Sequence, residues 1–372
     1  MRFGKYKMTV FLSKPQTLQS LMNNYFDYAA STPVSQHVLD AMKPWENEKF
    51  ANASSAHQAG RASAQAIQKA RELVADKIGA LPSEIIFTSG ASEANNLALK
   101  GIAFKHLNSK GHIITSKIEH KCILNTCAFL ESIGFEVTYL APNRDGRISP
   151  SSLAKEIRNN TILISIHHVN NELGTIQPIE DFGAIAFENN IPFHTDAAQS
   201  FCKCDIDVDD MDIDMLSISG HKIFGPKGIG ALYVRDARDS ELVPLIHGGG
   251  QEGGLRGGTS PTPLIVGLAA AVESYPTKPD SIEKQFLEVM SQFSFTRNGG
   301  LSVVPSTWSV TFRSDEEVKR FTSEYPWLIS QGSACNALSN VASHVLTAID
   351  MSEEVARRTY RISLPPYLLS EG

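Results

Sequence analysis

Short apolar runs alternate with longer stretches of helical character up to about residue 246 of the chain. The apolar runs are rich in β-branched residues, which favour strands, and strands of this kind that alternate with helices form a largely parallel sheet covered on both faces. The runs that we predict as strands are EIIFT (84–88), HIIT (112–115), EVTYLA (136–141), TILISIHHV (161–169), IPFHTDA (191–197) and IDMLSIS (213–219). GALYVR (230–235) follows the last of them closely, so we expect it to return antiparallel.

The alternation of apolar runs with helical stretches ends after residue 246. The stretch HGGGQEGGLRGGTSPTP (247–263) is either a flexible linker or an ordered loop whose backbone closely approaches a neighbour. Beyond about residue 272 the pattern is less periodic, as expected for a smaller α+β domain. We therefore predict a large α/β domain over residues 25–272 and a small domain made of residues 1–24 and 273–372.

Composition limits the classes of protein to consider. The chain has 372 residues, of which 42% are hydrophobic, and a net charge of −6. This balance is typical of a cytoplasmic globular protein and argues against direct nucleic-acid binding. We find no apolar run long enough for a membrane span, and the apolar start of the chain is too short for a signal peptide. The five scattered cysteines do not form a disulfide framework, and the pair Cys202 and Cys204 lacks the second half of a metal site.

Three polar signals follow predicted strands, where parallel sheets bind their ligands. The turn Ser89-Gly90-Ala91-Ser92 begins a helix, whose free N–H groups suit a phosphate, although Ser92 could simply cap that helix. Asp196 ends a strand, where it could pair with a protonated aromatic nitrogen or cap the next segment. Lys222 follows a strand in SISGHKIFGPKGIG, and lysine is the residue that forms Schiff bases, although most lysines are solvated surface residues. Together the three indicate pyridoxal 5'-phosphate (PLP).

Long motifs carry a resemblance to a known family. The chain resembles the cysteine desulfurases of the NifS/IscS type, which belong to class V of the fold-type-I PLP enzymes. The resemblance covers about residues 25–272 and 328–364. The motifs are YFDYAASTPV, FTSGASEANNLALKG, HIITSKIEHKCIL, HHVNNELGTIQPI, HTDAAQS, SISGHKIFGPKGIGALYVR, HGGGQEGGLRGGT and SQGSACNALS.

The resemblance implies a role for each matching residue around the cofactor. Lys222 would form the Schiff base, Asp196 would pair with the pyridinium nitrogen, and His120 would stack on the ring and move protons. Gln199 and Asn171 would lie beside the ring hydroxyl. The phosphate would be held by residues of the cradle and of the lysine motif, namely Gly90, Ala91, Ser92, Ser219 and His221.

The resemblance also implies a substrate site and partners. Arg361 and Asn171 would bind the carboxylate of L-cysteine, for which a guanidinium is well shaped. Thr259 would reach the phosphate of the other subunit of a homodimer. Cys335 would be the nucleophile that takes the sulfur as a persulfide, leaves L-alanine, and passes the sulfur to an acceptor protein. Candidate destinations are iron–sulfur assembly, tRNA thiolation and DNA phosphorothioation.

Several readings stay open beside this one. Cys335 could be a buried structural thiol, but its neighbours SQGSACNALSN are small and polar, as in an exposed loop. A selenocysteine lyase, another class V aminotransferase, or a desulfurase-like scaffold subunit are the alternative functions. The chain departs from the family pattern at Gly258, where serine is common, and in a shorter stretch over 273–327. It also ends at RISLPPYLLSEG, with little sequence beyond Pro365 and Pro366, which favours a specialised sulfur donor over a housekeeping one.

Overall fold

A computed structural model describes residues 24–240, 242–278, 282–331 and 343–367. Its centre is a seven-stranded sheet with the order β1-β7-β6-β5-β4-β2-β3. The strands are β1 (Ile85–Thr88), β2 (His112–Ser116), β3 (Glu136–Leu140), β4 (Thr161–Ser165), β5 (Phe193–Asp196), β6 (Met215–Ser219) and β7 (Gly230–Val234).

The sheet is largely parallel, as the apolar pattern predicts. Parallel pairing joins β3 to β2, β2 to β4, β4 to β5 and β5 to β6. Strand β7 lies between β6 and β1 and is antiparallel to both, which confirms the expected return of GALYVR. The carboxyl ends of the other strands therefore meet at one edge of the sheet.

Helices cover both faces of this sheet. Alternate residues of a strand point to opposite faces, and accordingly Ile85 and Phe87 belong to one apolar core while Ile86 belongs to a second. The helices of this part are α1 (Gln36–Asn47), α2 (Gln58–Asp76), α3 (Ala91–Lys105), α4 (Lys121–Ser132), α5 (Pro150–Glu156), α6 (Ile179–Glu188) and α7 (Thr262–Glu273). Side chains of α2, α6 and α7 fill the first core, and those of α3 and α4 fill the second.

A second, antiparallel sheet of three strands has the order β10-β9-β8 and its own aromatic core. Its elements are α8 (Ile282–Met290), β8 (Phe295–Asn298), β9 (Thr307–Phe312), α9 (Asp315–Glu324), α10 (His344–Ala348), α11 (Glu353–Ala356) and β10 (Thr359–Ser363). The segment at the start of the described chain joins it, because Tyr25 bridges Leu328 and Asp27 bridges Ser363. The domain boundaries at residues 25 and 272 stay a prediction. In the described part of the chain, no helix is both long and apolar enough to cross a membrane.

Candidate active site

A cavity of about 450 Å³ opens at the carboxyl ends of the parallel strands. Its wall comes from segments that follow β1, β2, β4, β5 and β6, together with β10 of the smaller sheet. Most of the residues that the sequence singled out share this wall: Gly90, Ala91, Ser92, His120, Asn171, Asp196, Gln199, Ser219, His221, Lys222 and Arg361. Thr259 is exposed and does not line this cavity, and Cys335 lies outside the described residues.

The turn after β1 leads directly into the first turn of helix α3. Gly90 occupies the N-cap position with φ of 150°, so the helix begins at Ala91, and Ser92 lies inside its first turn. The alternative role of Ser92 as the cap is therefore wrong. The close approach of β7 explains the small residues here, since a Cβ on Gly230 would stand 2.6 Å from Cα of Gly90. The free N–H groups of this helix start face the cavity end of the sheet and suit an anion.

Asp196 is a buried carboxylate held by neutral donors. It is 7% exposed. Its Oδ2 accepts from Nδ2 of Asn95 at 2.7 Å, and its Oδ1 accepts from the backbone N–H of Ala198 at 2.9 Å. The second contact is the local turn expected of a residue that caps the next segment. Among the described residues no cationic side chain lies within ion-pair distance of it, and a protonated ring nitrogen in the cavity would supply the missing charge.

Lys222 is half-buried, and its amine points to main-chain oxygens. Nζ donates to the carbonyls of Ala29 at 2.7 Å and Ala30 at 2.8 Å. Burial lowers the pKa of Lys222 to about 7, and the positive charges of Arg361 and Lys203 act in the same direction. A lysine of this kind is a nucleophile near neutral pH, as Schiff-base formation requires.

His120 caps helix α4 with its own ring. Its Nδ1 accepts from the backbone N–H of Cys122 at 3.2 Å and lies 3.0 Å from Sγ of the same residue. Burial lowers the pKa of His120 and raises the pKa of the Cys122 thiol to about 12. Because Nδ1 serves as an acceptor, the neutral ring carries its proton on Nε2.

Arg361 extends from β10 and is fixed by two oxygens. Nη2 forms an ion pair with Oδ1 of Asp27 at 2.7 Å, and Nη1 donates to the carbonyl of Asn171 at 3.0 Å. Its Nε is buried and has no hydrogen-bond partner among the residues described. A guanidinium held on one side keeps donors available for a ligand carboxylate.

His221 and Ser219 complete the lysine side of the cavity. His221 is bonded through Nδ1 to Oγ of Ser31 at 3.2 Å. Burial lowers the pKa of His221 to about 4, with Lys222 and Lys227 contributing, so its ring is neutral at pH 7. Together with Lys227, also in the cavity wall, these groups make this end of the cavity suitable for a phosphate.

The glycine-rich stretch is an ordered loop, not a flexible linker. The side chain of Glu252 is 6% exposed and pairs with Arg71 through both oxygens, at 2.8 and 2.9 Å. Its Oε2 also accepts from the backbone N–H of Phe87 at 2.9 Å. This ties the loop to strand β1. Gly258, at which the sequence departs from the family pattern, adopts φ of 110°, a conformation that disfavours any side chain.

A second ion pair joins the loop to the phosphate cradle. Arg256 contacts Glu93 of helix α3 at 2.9 Å, and Glu93 also accepts from the backbone N–H of Ser89 at 2.8 Å. Burial would raise the pKa of Glu93, but the hydrogen bonds from Arg256 and Ser89 outweigh it and lower the pKa.

These residues fit PLP. The cavity combines a helix start suited to an anion, a buried carboxylate with no cationic partner among the described residues, and a lysine whose pKa is lowered to about 7 by burial. Sequence reasoning missed the residues that hold these groups, namely Asn95, Asp27, Lys203 and Cys122. Asn95 lies one turn of helix after Ser92, and that spacing was the one local signal for it.

The comparisons with known proteins agree with this chemistry. Residues 24–371 match the family described as Aminotransferase class-V. The chain is 44% identical over 360 residues to the cysteine desulfurase IscS of Dictyoglomus turgidum, covering 93% of this chain and 91% of that protein.

Solved structures of similar chains share the fold. A structure titled "SspA in complex with cysteine" is 68% identical, with a TM-score of 0.92, and covers 93% of this chain and 100% of that one. The crystal structure of DndA from Streptomyces lividans is 37% identical, with a TM-score of 0.76, and covers 92% of this chain and 99% of that one.

Proposed function

The chain belongs to the class-V aminotransferase family, as a PLP-dependent cysteine desulfurase, and we propose that the cavity described above is where it takes sulfur from L-cysteine. The observation that carries this proposal is the shared wall of Lys222, Asp196 and Arg361. PLP and an amino-acid substrate require three groups: a nucleophilic amine, a carboxylate that lacks a cationic partner, and a guanidinium that binds a carboxylate.

Bound PLP supplies an electron sink for the bond changes at the substrate carbon. Asp196 would keep a proton on the ring nitrogen, and the start of helix α3 with Ser219 and His221 would hold the phosphate. Gln199 and Asn171 would lie beside the ring hydroxyl. Lys222 would bind the cofactor covalently when no substrate is present.

Proton transfers are divided between two residues in this proposal. With a pKa near 7, Lys222 is the better base, because its amine is largely neutral at slightly alkaline pH. His120, once protonated, would donate from Nε2, since its Nδ1 accepts from the backbone N–H of Cys122. Arg361 would hold the substrate carboxylate and so fix the orientation of the carbon that exchanges its proton.

Cys335 is the proposed sulfur acceptor. Its thiolate would attack the substrate sulfur, so that an S–S bond forms and the C–S bond breaks. The electron pair of the broken bond stays with the substrate carbon, which takes up a proton and leaves as part of L-alanine. The persulfide on Cys335 would then pass to an acceptor protein.

We propose a cytoplasmic homodimer in which Thr259 of each subunit reaches the partner's site, consistent with its exposure and its place outside the cavity wall. The sulfur acceptor would belong to iron–sulfur assembly, tRNA thiolation or DNA phosphorothioation. Incubating the persulfide-loaded enzyme with candidate acceptors and following the transferred sulfur decides among them.

The decisive variants separate cofactor binding from sulfur transfer. We expect Cys335→Ser to bind PLP and keep its visible absorbance but release no sulfide from L-cysteine, and Lys222→Ala to lose the covalent cofactor. Full sulfide release by Cys335→Ser would contradict the assignment of the nucleophile. Assays for alanine with sulfide, for selenide release, and for keto-acid formation distinguish the desulfurase from a selenocysteine lyase or an aminotransferase, and lack of any turnover would indicate a scaffold.

A further inference from the structure

One buried cation has no part in the mechanism above. Lys203 is 3% exposed, yet no carboxylate among the described residues lies within ion-pair distance of its amine. Burying an ammonium without a carboxylate partner costs free energy, so the one hydrogen bond that this amine makes within the described chain is informative. Burial lowers the pKa of Lys203 to about 8, so it remains mainly protonated at neutral pH.

The amine of Lys203 contacts a residue of the cavity wall. Nζ donates to Oε1 of Gln199 at 2.9 Å, and Nε2 of Gln199 donates to the carbonyl of Ala29 at 2.8 Å. A lysine ammonium can only donate and a carbonyl can only accept, so these two partners determine which way the amide points. The oxygen of Gln199 faces Lys203, and one N–H of its amide has no partner within the described part of the chain.

Without Lys203, the amide of Gln199 would be held only by its hydrogen bond to the carbonyl of Ala29. The same oxygen accepts from Nζ of Lys222 at 2.7 Å, so Gln199 shares it with the catalytic lysine. Lys203 makes its hydrogen bond only to Gln199 among the described residues, and a charged donor polarises the amide it contacts. Polarisation strengthens the remaining N–H of Gln199 as a donor.

We propose that Lys203 is a positioning residue that fixes the amide of Gln199, so that Gln199 presents an N–H donor and not its oxygen to PLP. The inference rests on the proposed placement of the cofactor beside Gln199. According to this inference, Lys203 affects PLP binding through Gln199 and not through its charge alone.

The alternative is a purely electrostatic role. Besides Gln199, the polar groups that influence Lys203 are the thiols of Cys202 and Cys204 and the guanidinium of Arg361. Lys203 in turn belongs to the charged groups around Lys222, with Arg361, Asp196 and Asp27. A charge acting through space would affect bound PLP whether or not Gln199 is present, and this difference provides the test.

The experiment is a double-mutant cycle with the dissociation constant of PLP as its readout. Apoenzyme is titrated with PLP for the wild type, Lys203→Met, Gln199→Ala and the double variant. We expect Lys203→Met to weaken PLP binding by about five- to tenfold in the wild-type background and by less than about twofold in the Gln199→Ala background, as for residues in direct contact. Lys77→Met is the matched control, because Lys77 lies near Cys202 without contacting Gln199, and we expect no change.

Each other outcome has a defined meaning. If Gln199→Ala leaves PLP binding unchanged, the placement of the cofactor beside Gln199 is wrong and the inference falls with it. If Gln199→Ala weakens binding but Lys203→Met does not, or weakens it equally in both backgrounds, only the role of Lys203 is overturned. Thermal unfolding of each apoenzyme checks folding. If Lys203→Met does not fold, Lys203→Gln replaces it in the cycle: the neutral donor is expected to retain most of the affinity, and a loss equal in both backgrounds overturns the role.

Discussion

Arg361 and Asp27 form a nearly buried ion pair at the wall of the cavity, with side chains that are 3% and 17% exposed and an Nη2–Oδ1 distance of 2.7 Å. The other oxygen of Asp27 accepts from Oγ of Ser330 at 2.9 Å. The guanidinium proposed to bind substrate is therefore positioned by a carboxylate that is far away in sequence. The carbonyl of Asn171 accepts from Nη1 of the same guanidinium, while its buried Nε has no hydrogen-bond partner among the described residues.

Loss of Asp27 should weaken substrate binding more than turnover. In Asp27→Ala we expect KM for L-cysteine to rise about tenfold, equivalent to about 1.4 kcal/mol, with a smaller change in kcat. The unpaired guanidinium should also lower the free energy of unfolding by about 3 kcal/mol. Steady-state kinetics and denaturant unfolding measure both effects. Asp40→Ala, at an exposed position, is the control, and an unchanged KM would show that Asp27 does not position Arg361.

The depressed pKa of Lys222 predicts how apoenzyme recaptures PLP. Only the neutral amine attacks an aldehyde, so the rate constant of reconstitution should rise about tenfold per pH unit below pH 7 and level off above it. For an ordinary lysine the rate constant would continue to rise beyond pH 9. Nα-acetyl-lysine, whose side-chain amine is free, is measured in parallel as that reference. Arg361→Gln removes a positive charge that lowers the pKa, so its midpoint should move to higher pH. Midpoints above pH 9 for the wild type would contradict the buried position of Lys222.

Asn95 should be needed for tight binding of PLP. It is fully buried, and Asn95→Leu keeps its approximate volume while removing the N–H that Asp196 accepts. Losing a hydrogen bond to a charged group raises the dissociation constant of PLP by about tenfold. The neighbouring Asn96→Leu is the control, because Asn96 bonds to Ser92 and Thr126 and not to Asp196. Equal effects of the two variants would mean that helix α3, not this hydrogen bond, is disturbed.

Much of the fold could be predicted because each strand is a short apolar run with turn residues at its ends. The antiparallel return of β7 followed from a connection too short for a crossover helix. The positions of Asp196 and Lys222 were also predictable, since Asp196 ends one strand and Lys222 closely follows another, and the carboxyl ends of these strands share an edge.

The positioning residues could not be found in the same way. Asp27 and Arg361 are 334 residues apart, and Asn95 and Asp196 are 101 apart, so no local pattern links them. Lys203 follows Gln199 by four residues, but a lysine at such spacing is normally solvated, and its burial depends on packing that only the tertiary structure shows.

Because Glu252 bonds to Arg71 and to the backbone of β1, the glycine-rich segment would not keep its conformation outside this fold. Its conformation depends on Arg71 and on the backbone of β1, which lie outside it. Grafting residues 247–259 onto another scaffold would transfer the glycines without their point of attachment. A designer who wants the same geometry must also transplant the arginine and the strand edge.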